Sequence, residues 1–463
     1  EGFRMSVLKK YQPPILQPLA ITSVGKHDIL QVQAVSSVDE PHDYRSLLAQ
    51  YGSPLFVVFE RRLRAQYRSM RDTFITSGVD TVIAYSYKTN YLPAICTVLH
   101  QEGAWAEVVS GMEYELARAL GVPGKHIIFN GPLKTPDELR TAIADGALIN
   151  IDSFDDLAAA RKAARAAGRV ARIGLRFNFR YGANPWTKFG FNVENGDCAR
   201  ALEIVAGDRK LKLEALHNHS GTFQVDPKVY GRAASVMVDV ARQARALGLA
   251  PTIADFGGGY PSGNRLKQNF DPSGGSGPRA NGLAPFAELI LNRICAAREV
   301  FGGKPTIVLE PGRALVDEAV QLLCTVVATK EIPGQGPAVI IDAGVNILPT
   351  AYWYDHEVDV APSYEDGRAG MFRPVNIYGP LCMQIDVVRE RASLPPLSVG
   401  APLVIGNVGA YCLSQSMQFI QPRPAVVMLG PNGTEIIRRR ETWRDIFALD
   451  AVPKRLRLPR HAF

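Results

Sequence analysis

Between residues 82 and 312, short runs of β-branched and apolar residues alternate with amphipathic segments of helical length. That is the pattern of parallel βα units rather than of hairpins. Eight such runs can be counted: VIAYSYK (82–88), WAEVVS (105–110), HIIFNG (126–131), ALINIDS (147–153), ARIGLRFN (171–178), LEALHNHS (213–220), TIADFGGG (252–259) and TIVLEPG (306–312). Eight is the number that closes a (β/α)8 TIM barrel. The intervening segments carry helix-start chemistry. Thr135 offers an N-cap followed by Pro136 and a capping-box Glu138, and Ser153 caps DDLAAARKAARAAG. A helix at 60–76 leads into the first strand, and LFVVF at 55–59 reads as separate β structure.

Beyond residue 315 the texture changes to β-rich segments such as VQLLCTVVAT, AVIIDAG, PLVIGNVGAYC and AVVML, without long helices between them. The expected fold class is α/β, with a barrel over 59–315 and a second, mostly β domain over 316–463. The N-terminal segment 1–58 is expected to contribute to the β domain and make it discontinuous. One polar, Gly/Pro/Ser-rich excursion, 262–282, follows the seventh run and is expected as a mobile loop at the barrel mouth.

Composition changes this picture little. A chain of 463 residues exceeds one ordinary core, and 46% hydrophobic with 21% charged residues is ordinary for a soluble globular protein. No stretch approaches the ~20 apolar residues of a membrane span. Met5 follows four residues that look like a cloning remnant, and no secretion signal succeeds it, so a cytoplasmic location is expected. The cysteines (Cys96, Cys198, Cys295, Cys324, Cys382, Cys412) are scattered without a CxxC pair, which argues against a disulfide framework or a structural zinc site. The net charge of +7 suits an anionic ligand, but the basic residues are dispersed apart from Arg438, Arg439 and Arg440, and no nucleic-acid-binding module is recognisable.

In a barrel of this kind the active site lies at the C-terminal ends of the strands, with phosphate commonly held after the last two. The unusual residues fall there. Lys88 ends the first run, where desolvation would lower its pKa toward that of an amine able to form a Schiff base, although a lone lysine at a strand end is more often a solvated rim residue. Gly257, Gly258 and Gly259 would expose backbone N–H groups to a phosphate, with Arg313 from the next loop. A tight turn is the plainer reading of the glycines alone. His217 and His219 are two apart and so share a face, resembling the HxH metal pair of amidohydrolase barrels, but that pair belongs on the first strand. An imidazole stacked on an aromatic cofactor ring is the better use, with His217 as a structural histidine, and no metal is expected. Glu310 lies between an apolar strand and a turn, where a carboxylate needs a cationic partner; a protonated pyridine nitrogen would serve.

At this point the chain resembles the fold-type III pyridoxal phosphate decarboxylases, the family of diaminopimelate and ornithine/arginine decarboxylases, which share the alanine racemase-type barrel. YSYKTN is similar to the Schiff-base lysine motif and EVVSGMEYELA to the D-x-x-S-x-x-E segment. INIDSFDDL, RFN with KFG, HNHSGTF, GGGYP, EPGR, GPLC and GAY occur in the family's order. The resemblance implies that Lys88 binds pyridoxal 5'-phosphate, that His219 stacks on its ring, and that Glu310 meets the ring nitrogen, with Glu107 and Arg176 in support. Thr222, Gly258, Gly259, Arg313 and Tyr411 would hold the phosphate. Cys382 in GPLC would reach over from the partner subunit to reprotonate Cα, which implies a homodimer with shared active sites; a lone cysteine is otherwise usually buried filler.

The departures bear on substrate. Where diaminopimelate decarboxylases follow that cysteine with Glu-Ser and ornithine decarboxylases with Asp, this chain has Met383 and Gln384. The arginine that holds a distal carboxylate is missing from NILPTAYWYDHE. The expected reaction is therefore decarboxylation of an amino acid, or of a modified or carrier-tethered one as in natural-product pathways, other than diaminopimelate or L-ornithine. Met383, Tyr352 and Tyr411 are the candidate substrate contacts. The alternatives are an amino-acid racemase on the same barrel, disfavoured by Glu310 and GPLC, and a cofactor-free regulatory binding protein, disfavoured by Lys88, the glycines and Arg313 together.

Overall fold

The computed structural model describes residues 43–181, 188–267, 282–362 and 372–457. Most of the 1–58 segment and most of the 262–282 excursion lie outside the described residues. β1 (Leu55–Phe59) is buried over its whole length, which accounts for a run with no polar alternation. After the helix Glu60–Thr73 come β2 (Asp80–Ser86), β3 (Trp105–Val108), β4 (Ile127–Phe129), β5 (Leu148–Ile151) and β6 (Ala171–Asn178). The two-residue β7 (Phe191–Asn192) adds beside β6, and β8 (Leu211–His217), β9 (Ile253–Asp255) and β10 (Thr306–Leu309) follow. Apart from β7 these strands run parallel in the order β5-β4-β3-β2-β10-β9-β8-β6, and pairing of β5 with β6 closes the barrel.

The helices start as their capping chemistry dictates. Thr135 and Glu138 form a reciprocal capping box on Pro136–Asp145, and Ser153 accepts from the Asp156 N–H at the head of Phe154–Ala166.

The predicted runs overshoot at their C-terminal ends. β2 stops at Ser86 and Lys88 sits in a 3-10 turn, Tyr87–Thr89; β8 stops at His217, β9 at Asp255 and β10 at Leu309. There the chain leaves the ladder, and the backbone groups of the following residues turn to side chains and loops instead.

Alternation along the strands layers the interior. Ala84, Ile128, Leu148, Ala215, Ile253 and Val308 meet as an apolar plug inside the barrel, with Trp105 packed against it. Side chains on a strand repeat their direction every second residue. The residues two positions on are Ser86, Asn130, Asn150, His217, Asp255 and Glu310, with Glu107 above Trp105, and all are buried. A polar storey therefore stands directly on the plug, facing the end where barrel active sites form.

The second sheet contains β11 (Val320–Ile332), β12 (Gly336–Ile341), β13 (Val358–Val360), β14 (Arg373–Tyr378), β15 (Val387–Leu394), β16 (Pro402–Ile405), β17 (Ala425–Gly430) and β18 (Gly433–Arg438). β1 lies within this sheet, antiparallel to β11 and parallel to β17. The loop after β16 docks on the barrel mouth: Tyr411 N–H donates to Thr89 O at 2.8 Å, and Asn90 Nδ2 donates to Gly409 O at 2.9 Å. That contact carries Tyr411 and Gln415 over Lys88. No helix among the described residues is long and apolar enough to cross a membrane.

Candidate active site

A cavity of about 350 Å³ opens at the C-terminal end of the barrel, within the range of small-molecule sites. Lys88, His219, Thr222, Gly258, Gly259, Glu310, Arg313 and Tyr411 line it, so eight of the predicted site residues converge. Glu107 and Arg176 stand behind it.

Lys88 donates to Glu107 Oε2 at 2.6 Å, and 38% of its side-chain surface is accessible through the cavity it lines. Its pKa departs from the sequence-based expectation. Burial pulls it down, but Glu107, then Tyr411 and Glu310, outweigh burial, and the pKa is raised. The expectation considered desolvation alone, and the fully buried Glu107 carboxylate reverses its sign.

Glu107 is also one end of a buried hydrogen-bonded chain. Asn130 Nδ2 donates to Glu107 Oε1 at 2.9 Å and to Glu310 Oε1 at 2.8 Å. Asn150 Nδ2 donates to Asn130 Oδ1 at 2.8 Å and to Asp255 Oδ2 at 3.2 Å. Burial alone would raise the Glu310 pKa; attraction from His217, then Lys88 and the Asn130 hydrogen bond, hold it below the usual carboxylate range. Arg176 pairs with Asp152 at 3.1 Å and stacks over Phe189, away from the cavity.

The two histidines separate. His219 lines the cavity and accepts the Gly258 N–H on Nδ1 at 2.9 Å, which places its ring proton on Nε2. Burial, with Arg176 and Lys88 nearby, keeps it neutral, its pKa well below the usual histidine range. His217 lies beneath, with Nε2 3.4 Å from Glu310 Oε2. Neither of its ring nitrogens makes a hydrogen bond, so the reading of a satisfied structural histidine does not hold; its environment is the charge of Glu310. His217, Asp255 and Glu310 offer ligand atoms within 4.8 Å of one another, a spacing a metal could use. The N–H donors of Gly257, Asn150 and Asn130 already point at these carboxylates, which are therefore held as hydrogen-bond acceptors.

The triple glycine also differs from expectation. Gly257 N–H turns inward to Asp255 Oδ1 at 2.9 Å and Gly258 N–H turns to His219, so the three amides do not all face the cavity. What requires glycine is close approach. A Cβ on Gly258 would stand 2.5 Å from the Glu310 carbonyl oxygen, and one on Gly259, at φ +97°, would stand 2.1 Å from that of Gly221.

Arg313 is buried, with Nη1 on Asp317 at 2.7 Å and Nε without a hydrogen-bond partner. Its guanidinium lies 4.4 Å from the ring centre of Tyr354, 5.4 Å from Tyr411 and 5.8 Å from Phe223. Phe223 and Tyr411 are both held at positive φ, a strain that marks functional sites. Asp317 also accepts from Ser262, Asn264 and the Ala410 N–H, and so fixes Arg313 to the docked loop.

Of the candidate substrate contacts, only Tyr411 reaches the cavity. Tyr352 is exposed, and Met383, on the loop between β14 and β15, is not among the residues of the cavity wall. Asp386 accepts from Leu381 N–H and Val345 N–H, and the loop it closes presents Cys382 to solvent. Among the residues that sequence reasoning missed are Thr350, Trp353, Tyr354 and Gln415 on the wall, and Asn130, Asn150 and Asp255 below it.

These features fit pyridoxal 5'-phosphate. An amine lies at the floor, an anionic carboxylate and a neutral imidazole stand beside it, and a half-satisfied guanidinium waits at a cradle that any Cβ would fill.

A family model described as "Pyridoxal-dependent decarboxylase, pyridoxal binding domain" matches residues 60–317. The chain is 29% identical over 454 residues to a diaminopimelate decarboxylase of Methanocaldococcus jannaschii, covering 93% of this chain and 98% of the relative. It is 30% identical over 431 residues to one of Methanothermobacter thermautotrophicus, covering 89% and 95%. A crystal structure of the M. jannaschii enzyme superposes with a TM-score of 0.80 at 28% identity, over 89% of this chain and 95% of that one.

Proposed function

The chain belongs to the pyridoxal-dependent decarboxylases, and on that premise we propose that it releases carbon dioxide from an amino acid whose far end is uncharged, a modified or carrier-tethered one included. The observation that carries this reading is the cavity wall. Its charged lining residues are Lys88, Glu310 and Arg313, joined by the neutral His219, and each has work at the cofactor end. The remaining lining residues carry no charge, among them Thr350, Trp353, Tyr354 and Gln415, which offer aromatic faces, a hydroxyl and an amide. The relatives are named for diaminopimelate, but Met383 and Gln384 beside Cys382 offer no carboxylate to a distal ammonium.

Bound pyridoxal phosphate supplies an electron sink for the pair left when carbon dioxide departs. Lys88 would hold the cofactor, and Glu107 is the resident partner of its ammonium. His219, kept neutral by burial and with Nδ1 taken by the Gly258 N–H, would face the cofactor ring. Glu310, held as a carboxylate, would keep a proton on the ring nitrogen. Arg313, Thr222, Gly259 and Tyr411 would bind the phosphate, Gly258 shaping the loop between them. Cys382 of the partner subunit would supply the proton to the substrate's Cα, for which its exposed hairpin position is suited.

This reading takes 59–315 as the cofactor-binding unit, with 1–58 and 316–463 forming the β domain of an obligate homodimer. Free cysteines throughout the described residues suit a reducing compartment, the cytoplasm. The test is carbon dioxide release across meso-diaminopimelate, L-ornithine, L-lysine, Nε-acyl-lysines, aromatic amino acids and carrier-linked amino acids, with the products examined for racemised substrate. The reading expects a substrate with a neutral far end to lead in kcat/KM. Preference for diaminopimelate or ornithine, or racemisation without carbon dioxide, would overturn it.

A further inference from the structure

Folding gathers some of the basic residues that the sequence disperses. On the outer ring of the barrel, helix Lys228–Ala246 and helix Ala284–Ala296 border a groove of about 480 Å³, which shares no lining residue with the cavity at the barrel mouth. The first helix contributes Lys228, Gly231, Arg232 and Ser235, and the second Leu289, Asn292, Arg293 and Ala296. Residues spaced by three, four and seven positions share one face of a helix, so each helix turns a single face to the groove.

No carboxylate lines this groove. The acidic residue of the first helix, Asp239, is taken by Arg242 at 2.7 Å, and Arg245 donates to the Val300 carbonyl. The side chains of Lys228, Arg232 and Arg293 are exposed and have no partner among the described residues. Lys228 also stands in a first turn that holds no acidic residue, so the positive end of its helix adds to its charge. Gly231 keeps the groove open although glycine is a poor helix former, since a Cβ there would stand 3.4 Å from Leu289 Cβ, already in contact.

The groove is also preformed. On the buried side of the same helices Tyr230 and Phe286 clasp Tyr260, with ring centres 4.9 and 5.8 Å from its own, and the Tyr230 hydroxyl donates to Gly258 O at 2.8 Å. These contacts fix the helices relative to each other, so a ligand does not have to order them. We propose that the groove is a second ligand site, which takes a small molecule carrying two or more negative charges as phosphate or carboxylate groups. Arg232 and Arg293 offer planar guanidinium forks from the two walls, Lys228 adds a third charge and Asn292 an amide donor. The Ser235 hydroxyl is committed to Gly231 O at 3.0 Å and serves only as wall. A volume in the range of small-molecule clefts favours such a ligand over a protein surface.

The test is calorimetric titration of the holoenzyme, whose own phosphate site is filled, with inorganic pyrophosphate and separately with citrate, in about 0.1 M salt so that exposed charges beyond ~10 Å are screened. One equivalent per chain of at least one of these anions should bind with a Kd below about 1 mM, and the tighter of the two distinguishes a phosphate from a carboxylate ligand. Arg232→Gln combined with Arg293→Gln should weaken that binding by at least about tenfold, because charge-assisted hydrogen bonds are lost from both walls. Lys125→Gln combined with Lys162→Gln removes two exposed charges elsewhere on the barrel and should leave the Kd within about twofold of wild type. Saturation by neither anion, unchanged affinity in the arginine variant, or equal weakening in both double variants would overturn the proposal. The titration needs no turnover, so its result is separate from the identity of the substrate.

Discussion

Gly258→Ala tests whether the site depends on close approach of its loops. The new methyl would stand 2.5 Å from the Glu310 carbonyl oxygen and 3.4 Å from His219 Cε1. Ordinary contact begins near 3.4 Å, so the loop after β9 and the end of β10 must part by about 0.9 Å. Overpacking of this kind costs about 1–3 kcal/mol of stability. The larger effect should be on turnover, because the displaced backbone carries Glu310 directly and holds His219 through the Gly258 N–H. A misplacement near 1 Å can cost roughly 10²-fold in rate.

Gly207→Ala is the matched control. Gly207 caps a helix at φ −78°, and a Cβ there meets nothing closer than a carbonyl oxygen at 3.6 Å, so alanine should be neutral or stabilise by up to about 1 kcal/mol. The assay is carbon dioxide release with denaturant unfolding on the same preparations. A Gly258→Ala enzyme within about threefold of wild-type kcat, against the ~10²-fold loss reasoned above, would refute the argument. Equal loss in Gly207→Ala would refute it too.

Three further outcomes follow from the geometry. Glu310→Gln should retain the cofactor and lose about 10²–10³-fold in kcat, since a neutral amide cannot hold the ring nitrogen protonated; unchanged kcat by stopped carbon dioxide assay would contradict this. Lys88→Ala and Cys382→Ala proteins, each nearly inactive, should on mixing regain about a quarter of wild-type sites above the Cys382→Ala baseline, as a two-fold dimer with shared sites requires. No gain after verified subunit exchange would place both residues in one subunit's site or remove Cys382 from the reaction. His356 is wholly buried and its pKa is pushed down to about 4, by burial first. Its folded value lies below the unfolded one, so the stability it contributes is present above pH ~6.5 and is lost as pH falls toward 4, up to about 3 kcal/mol. His356→Gln should flatten that acid limb in pH-dependent unfolding, and an unchanged limb would contradict the assignment.

Much of this architecture is legible in the chain because barrel strands buried on both faces announce themselves as apolar runs. Lys88, His219, Glu310 and Arg313 were legible because each is chemically out of place after such a run. Asn130, Asn150 and Asp255 were not. A buried asparagine at a strand end looks like any turn residue until the barrel closes and brings four strands to one axis. A signal was nevertheless present: each stands two residues after an inward apolar residue, Ile128, Leu148 and Ile253, as Glu310 stands after Val308. Thr350, Trp353 and Tyr354 escaped notice because their stretch is recognisable only by what it lacks, and what it offers depends on a loop from the second sheet closing over the barrel. The pKa of Lys88 was misjudged for a related reason, since its partner Glu107 comes from the neighbouring strand.

Lys88 as the cofactor-bearing lysine is the claim on which every role above depends. Borohydride reduction of the purified holoenzyme, followed by peptide mapping, tests it directly. The account predicts the pyridoxyl group on Lys88, with none incorporated in Lys88→Ala. Recovery of the label on any other lysine would contradict it.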